Sequence, residues 1–180
     1  MGYMHSWAYM PDAAFQAAFE QLADDTREIL SALADRQVPI ANWAGHGDPE
    51  VTSLAISFNG AGPDADDTFL LEATGNGTIR HTPAGHSFHL DQCTTAGKPY
   101  DLAVTAVLLR THQLTPRHIA LASDGRWDEH WRPARALLAC LFDADSDADP
   151  LNAHVALSGG PQILRAAQIL PVQFPAAGER

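Results

Sequence analysis

The clearest pattern along the chain is a stripe of apolar residues that follows the "PD" pair at positions 11 and 12. Phe15, Phe19, Leu22, Ile29 and Leu33 recur at the spacing of one helix face. This spacing predicts a long amphipathic helix over residues 12–36. The "PD" pair suits its first turn, because proline fixes a helical φ and aspartate complements the positive end of the helix dipole. An aromatic-rich strand over residues 2–9 is predicted before it.

Strand-like alternation follows the helix. The segment "NWAGHGDPE" at 42–50 is rich in glycine, proline and aspartate and predicts a loop. Beyond it Leu54, Ile56 and Phe58 alternate with small residues, which predicts a half-buried strand that ends at the "NG" pair. Residues 68–71 predict a second short strand.

The middle of the chain alternates between strand-like and helix-like segments. Residues 88–93 predict a strand, residues 99–113 a helix that is apolar on nearly every side, and residues 118–122 a short buried strand. A further helix is predicted from about residue 130 to 142, with Pro133 near its start. Two strands joined by a helix are usually parallel neighbours with a right-handed crossover. The ends of 88–93 and 118–122 are therefore expected at one edge of the sheet.

Together these elements predict a single α/β (α+β) domain over residues 1–150. We expect a mixed β-sheet of about five strands packed against three helices. The chain has 180 residues, which is long enough to bury a sizeable core. Residues 151–180 end in proline, alanine and glycine and are predicted to form a partly irregular C-terminal appendage.

Polar side chains cluster where the two central strands end and helices begin. Helix N-termini offer unpaired N–H groups and the positive end of the dipole, which favours an anion or a polar ligand. The candidate ligand-binding residues are Thr94, Thr95, Lys98, Tyr100, Asp101, Ser123 and Asp124. Lys98 and Asp124 are expected to lie near one another at this edge. In the structural alternative Thr95 caps the helix, Asp101 complements its dipole and Lys98 is solvated.

The charge balance narrows the choice of partners. The chain has 22 acidic and 11 basic residues and a formal charge of −11, so nucleic acid is not an expected partner. Neither a bilayer-spanning apolar run nor a secretory signal is present, so we expect no membrane partner and a cytoplasmic location. Cys93 and Cys140 form no disulfide framework, which fits a reducing compartment, although one disulfide between them stays open.

Nine histidines and an acidic run raise the question of a metal site. The segment "HTPAGHSFHLDQC" carries His81, His86, His89 and Cys93, but His86 and His89 would point to opposite faces of a strand. The acidic run at 143–149 lacks the glycine and glutamate of a calcium loop. Neither a phosphate-binding loop nor a dinucleotide motif is present. We therefore expect no metal and no cofactor.

Three segments resemble a family of uncharacterised phage and bacterial proteins. They are "MGYMHS", "FNGAG", and "KPYD" followed some twenty residues later by "SDGRWDEHWRPARALL". The resemblance covers most of residues 1–142. The matching positions are Asn59, Gly60, Cys93, Thr95, Lys98, Pro99, Tyr100, Asp101, Ser123, Asp124, Gly125, Trp127 and Trp131. Thr94 and Gly97 stand where the family pattern has basic residues, which implies a weaker anion site in this chain.

Three functional hypotheses remain open. The favoured one is a non-catalytic accessory protein, of phage or mobile-element origin, that binds a small polar or anionic ligand or a partner protein at the edge carrying Lys98 and Asp124. The alternative is a small hydrolase or transferase that uses Asp101, Asp124, Glu129 or Cys93. A third is a structural subunit of a virion or assembly. The first is favoured because no nucleophile, base and orienting group are visible together in the sequence.

Overall fold

The larger sheet is built around the aromatic-rich start of the chain. The computed structural model describes residues 3–81, 87–144, 148–151, 154–156 and 163–165. Strand β1 (Met4–Tyr9) is buried along nearly its whole length, and Trp7, Ala8 and Tyr9 are at most 1% exposed. A strand that is covered on both faces belongs in the interior of a sheet.

The other elements follow β1 in chain order. They are α1 (Ala13–Asp35), β2 (Ile40–Ala41), β3 (Glu50–Val51), β4 (Ala55–Gly60), β5 (Phe69–Glu72), β6 (Thr78–His81), β7 (Ser87–Thr94), α2 (Asp101–Leu114), β8 (Ile119–Ser123), α3 (Arg132–Phe142), β9 (His154–Ala156) and β10 (Ile163–Arg165). The helices predicted at 12–36, 99–113 and 130–142 are confirmed to within two residues at each end.

Two antiparallel sheets replace the single mixed sheet that was predicted. The larger sheet has the order β6-β7-β1-β8, and in the smaller one β4 pairs with β2, β3 and β5. The pairings between these strands are all antiparallel. The predicted α+β class with three helices is confirmed within the described part of the chain, where α1 contacts the smaller sheet, α2 contacts the larger sheet and α3 packs on α1 and α2.

The prediction that β7 and β8 are neighbours is wrong. Strand β1 lies between them and pairs antiparallel with both. The two strands still run in the same direction, because each is antiparallel to β1, so their C-terminal ends do reach one edge. The neighbour rule fails because a strand from the start of the chain, buried on both faces, lies between them.

Large buried side chains join the layers. The rings of Trp7 in β1 and Phe69 in β5 are 5.2 Å apart, which connects the two sheets. Helix α2 packs on β8 and between α1 and α3. A buried ion pair ties α1 to α2, because Arg110 Nε donates to Asp25 Oδ2 at 2.6 Å.

The segment after α3 returns to the larger sheet. Leu151 forms an isolated parallel bridge with Leu121 of β8, and β9 pairs with β10. The rest of the predicted appendage, 152–153, 157–162 and 166–180, lies outside the described residues, so the boundary at residue 150 stays a prediction. Among the helices that the structure describes, none is both long and apolar enough to cross a membrane.

Candidate functional site

The start of β1 lies between the ends of β7 and β8 at one edge of the larger sheet. His5 pairs with Cys93 of β7 on one side and with Ser123 of β8 on the other. The edge predicted from the sequence therefore exists, with a third strand in its middle. Strand β1 thus places the imidazole of His5 among the candidate residues that follow β7 and β8, which the sequence analysis expected to meet without a histidine.

His5 is hydrogen bonded through both ring nitrogens. Its Nε2 lies 2.8 Å from Oδ1 of Asp101, the first residue of α2, and its Nδ1 lies 2.9 Å from Oγ of Ser123. A carboxylate only accepts hydrogen bonds, so we assign the proton of the neutral ring to Nε2. Nδ1 is then an acceptor for the Ser123 hydroxyl. His5 is 1% exposed, so its imidazole ring has almost no contact with bulk water.

A tight turn positions Asp101. Thr95 is fully buried, its backbone N–H donates to the Tyr3 carbonyl at 2.8 Å, and its hydroxyl donates to Asp101 Oδ1. Gly97 turns the chain with φ +69°, where a Cβ atom would lie 2.9 Å from the Tyr3 ring. Thr95 does not cap α2 as the structural alternative expected. The N-cap residue is Tyr100, and its side chain makes no capping hydrogen bond. Thr95 does not cap the helix because its hydroxyl donates to the Asp101 carboxylate instead.

Asp124 and Gly125 fasten the loop after β8. Asp124 Oδ1 accepts the Met4 backbone N–H at 2.9 Å, so its carboxylate holds the start of β1. Ser123 Oγ accepts the Gly125 N–H at 2.9 Å while it contacts His5. The seryl oxygen thus has one backbone donor and one imidazole as its neighbours.

Lys98, Thr94 and Tyr100 anchor another segment. Lys98 Nζ donates to the carbonyls of Ala65 and Pro63, and lies 3.9 Å from an Asp66 carboxylate oxygen. The Thr94 N–H donates to Asp67 Oδ2 at 3.0 Å, and the Tyr100 hydroxyl donates to the Asp67 carbonyl at 2.8 Å. These three candidate residues hold residues 63–67 against the sheet. Lys98 and Asp124 share the predicted edge, but they bind different parts of the chain.

Cys93 has the environment of a buried structural residue. It is fully buried at the end of β7, and its thiol lies 3.4 Å from the Asp67 carbonyl oxygen. Burial, and next the negative charge of Asp67, raise the pKa of the thiol far above its ordinary value. A thiol held in its neutral form is a poor nucleophile, so Cys93 is a weak candidate for covalent chemistry.

A cavity of about 610 Å³ opens beside Ser123. Its wall is formed by the loop after β8 and by two residues that follow α3. The lining residues are Ser123, Gly125, Arg126, Trp127, Asp128, Glu129, Asp149 and Leu151. Ser123 is the residue common to this cavity and to the bonds made by His5. Cavities of this size are typical of small-molecule sites.

The charges around the cavity are mainly negative. Among the described residues, its wall carries the carboxylates of Asp128, Glu129 and Asp149 and one guanidinium, that of Arg126. Arg126 already forms an ion pair with Glu129. Asp128 is 96% exposed, and its carboxylate lies 3.9 Å from the guanidinium of Arg135. The balance of charge favours a neutral or cationic ligand over an anion.

Two tryptophans support the wall. Trp127 is 8% exposed and lines the cavity, and Trp131 behind it in the sequence is fully buried. The Trp131 indole meets the His5 ring edge-on with 5.5 Å between the ring centres. Within the described ranges its Nε1–H has no hydrogen-bond partner. The imidazole is thus held by packing as well as by hydrogen bonds.

The histidine-rich segment and the acidic run show no metal site in the part of the chain that the structure describes. No group of three or more His, Cys, Asp or Glu residues there has the arrangement of a metal site. His89 Nδ1 lies 3.0 Å from the Asn76 carbonyl oxygen, and His81 Nδ1 lies 3.0 Å from the Ser87 hydroxyl. His86 and residues 145–147 lie outside the described residues.

His5 is the site residue that the sequence prediction missed. One local signal was present, since a histidine stands in the strand "MHSWAY", where the other large residues are apolar or aromatic. A polar residue in a strand covered on both faces requires hydrogen-bond partners. Its partners come from distant segments, which the strand alone does not reveal.

Comparisons with known proteins add no further constraint. Neither a protein-family model, nor a curated protein, nor a solved structure matches this chain. The arguments for function therefore come from the geometry of the site.

Proposed function

We propose that this protein binds a small polar ligand in the cavity beside Ser123, as an accessory protein of a phage or mobile element. The supporting observation is the cavity itself, whose volume of about 610 Å³ is accompanied by convergent polar groups at the sheet edge. The mobile-element context rests only on the family resemblance of "MGYMHS", "FNGAG" and "KPYD" followed by "SDGRWDEHWRPARALL".

The wall charges favour a ligand that is cationic or neutral. Three carboxylates and one guanidinium from the described part of the chain line the cavity, and that guanidinium is paired with Glu129. The ammonium of Lys98, which would have favoured an anion, is bonded to the carbonyls of Pro63 and Ala65. An anion at Lys98 would have to compete with these bonds.

Ligand binding can be tested with two small probes of opposite charge. Choline and 3-hydroxybutyrate have similar size, and each is titrated into the ¹⁵N-labelled full-length protein. We expect choline to shift the amide signals of Ser123, Gly125 and Glu129 more strongly than 3-hydroxybutyrate does. Stronger shifts with 3-hydroxybutyrate would contradict the charge argument, and the absence of saturable shifts with either probe would refute the proposal.

A variant of the wall provides the control. Asp128→Asn removes one exposed carboxylate, so choline binding should weaken by about two- to fivefold, the range for an exposed charge pair. The matched variant is Asp48→Asn, an exposed aspartate in the loop between β2 and β3, which should leave choline binding unchanged. Equal effects of the two variants would place the probe elsewhere on the acidic surface.

A further inference from the structure

We infer that Ser123 is the nucleophile of an acyl-transfer reaction, with His5 as its general base and Asp101 as the residue that positions His5. The inference rests on the proposed ligand site, because the substrate would occupy the cavity beside Ser123. It names the substrate class as a small carboxylic ester whose other groups are neutral or cationic.

The first argument is the order of the hydrogen bonds. Ser123 Oγ, His5 and Asp101 form one chain, with 2.9 Å between Oγ and Nδ1 and 2.8 Å between Nε2 and Oδ1. A serine becomes a nucleophile when a base accepts its proton and a third group fixes the tautomer of that base. These three roles are filled here in the required order.

The second argument is the position of the chain relative to the cavity. Ser123 ends β8 and lines the wall, whereas His5 lies behind it, 1% exposed. Ser123 therefore borders the ligand space, and the His5 ring beside it is covered by protein. The Asp101 side chain is 17% exposed, and Thr95 provides a second donor to its Oδ1. A carboxylate that receives two hydrogen bonds is held in the orientation that His5 requires.

The reaction balances with water as the second substrate. Oγ attacks the ester carbonyl carbon and gives its proton to Nδ1, the C–Oγ bond forms, and the C–O bond to the alcohol breaks as the alcohol takes that proton. Water then attacks the acyl-enzyme and gives a proton to Nδ1, and the C–Oγ bond breaks as Oγ recovers it. The Gly125 N–H donates to Oγ at 2.9 Å and so helps to fix the position of the attacking oxygen.

A fluorophosphonate probe tests the nucleophile directly. Attack by Oγ forms a P–O bond and expels fluoride, and the adduct is detected by intact mass and peptide mapping of the full-length protein. We expect one adduct, located on Ser123, and none in Ser123→Ala. The matched control is Ser6→Ala in the same sheet, because Ser6 is also buried in β1 but its hydroxyl has no partner among the described residues.

Variants of the other two residues separate reactivity from folding. Asp101→Asn and His5→Gln should slow labelling by about 100-fold or more, since general-base catalysis and its orienting group contribute factors of this size or larger. Asp101→Asn keeps an acceptor oxygen for His5 and Thr95, so it should fold even if His5→Gln does not. A folded Asp101→Asn protein that labels at the wild-type rate would overturn the assignment of Asp101.

The outcomes distinguish this inference from the proposed function. Choline shifts without any adduct on Ser123 would overturn the nucleophile and leave the ligand site standing. An adduct on Ser123 without choline shifts would support the nucleophile and refute the choline-like ligand. An adduct formed equally by wild type and Ser123→Ala, or the absence of both signals, would overturn the inference.

Discussion

Replacing Trp131 tests how the site is supported from behind. Trp131 is fully buried, it packs edge-on against His5, and within the described residues its Nε1–H has no partner. Phenylalanine keeps an aromatic ring and removes only the donor and part of the volume. Alanine removes the whole side chain. The two substitutions therefore separate packing from the unpaired donor.

The magnitudes follow from these two contributions. Trp131→Ala should lower the free energy of unfolding by about 3–5 kcal/mol, the usual range for a buried aromatic residue. Trp131→Phe loses part of that packing but also removes an unsatisfied buried donor, which relieves about 1–3 kcal/mol. Its net cost should therefore stay below about 1.5 kcal/mol.

Urea unfolding followed by circular dichroism measures both values. Trp7→Phe is the matched control, because Trp7 in the middle of β1 is also fully buried and its Nε1–H has no partner among the residues that the structure describes. We expect Trp7→Phe and Trp131→Phe to cost similar amounts. If Trp131→Phe costs as much as Trp131→Ala while Trp7→Phe stays mild, the indole N–H contributes a bond and the reasoning is wrong.

Three further predictions concern other parts of the fold. Arg110→Met should cost about 3–5 kcal/mol in urea unfolding, because it leaves the buried Asp25 carboxylate uncompensated, and Asp25→Leu in the same chain should recover most of that loss. Burial lowers the pKa of His112 below 6.5, so the unfolded chain binds the extra proton and stability should fall as pH decreases below that value; His112→Gln should reduce this slope. Lys98→Met should lower the free energy of unfolding by about 1–2 kcal/mol, because the hydrogen bonds to two carbonyl groups are lost, and it should leave the choline shifts unchanged. If choline binding is lost while the stability is unchanged, Lys98 is a ligand-binding residue and this prediction is wrong.

The helices were predictable because their signal is local. The apolar stripe from Phe15 to Leu33 sets the buried face of α1, and every residue of that stripe is buried in the structure. Sheet order is not local in this way. The sequence of strand, helix and strand at 88–122 fixes the relative direction of β7 and β8, but it contains no information about a strand inserted between them. That strand comes from the start of the chain.

The candidate site was predictable in place but not in composition. Asp101 and Ser123 were identified because polar residues follow strand ends, and both are hydrogen bonded to His5. Their partner is 96 residues from Asp101 and 118 residues from Ser123 in sequence. Lys98 was identified by the same rule, but its ammonium binds nearby carbonyl groups. A rule about strand ends finds the edge and does not say which side chains meet there.

The bonds around His5 join β1, β8 and α2, so they stabilise the fold as well as orient a base. The two roles make different demands on Asp101. The structural role needs an oxygen that accepts hydrogen bonds from His5 and Thr95. Asparagine supplies such an oxygen, so Asp101→Asn should lower the free energy of unfolding by only about 1 kcal/mol. General-base catalysis also needs a negative charge beside the imidazolium that forms when Ser123 loses its proton, and asparagine lacks it. If Asp101→Asn greatly slows the labelling of Ser123 at nearly unchanged stability, His5 acts as a general base that Asp101 assists. If the variant loses stability but labels at the wild-type rate, Asp101 has only a structural role.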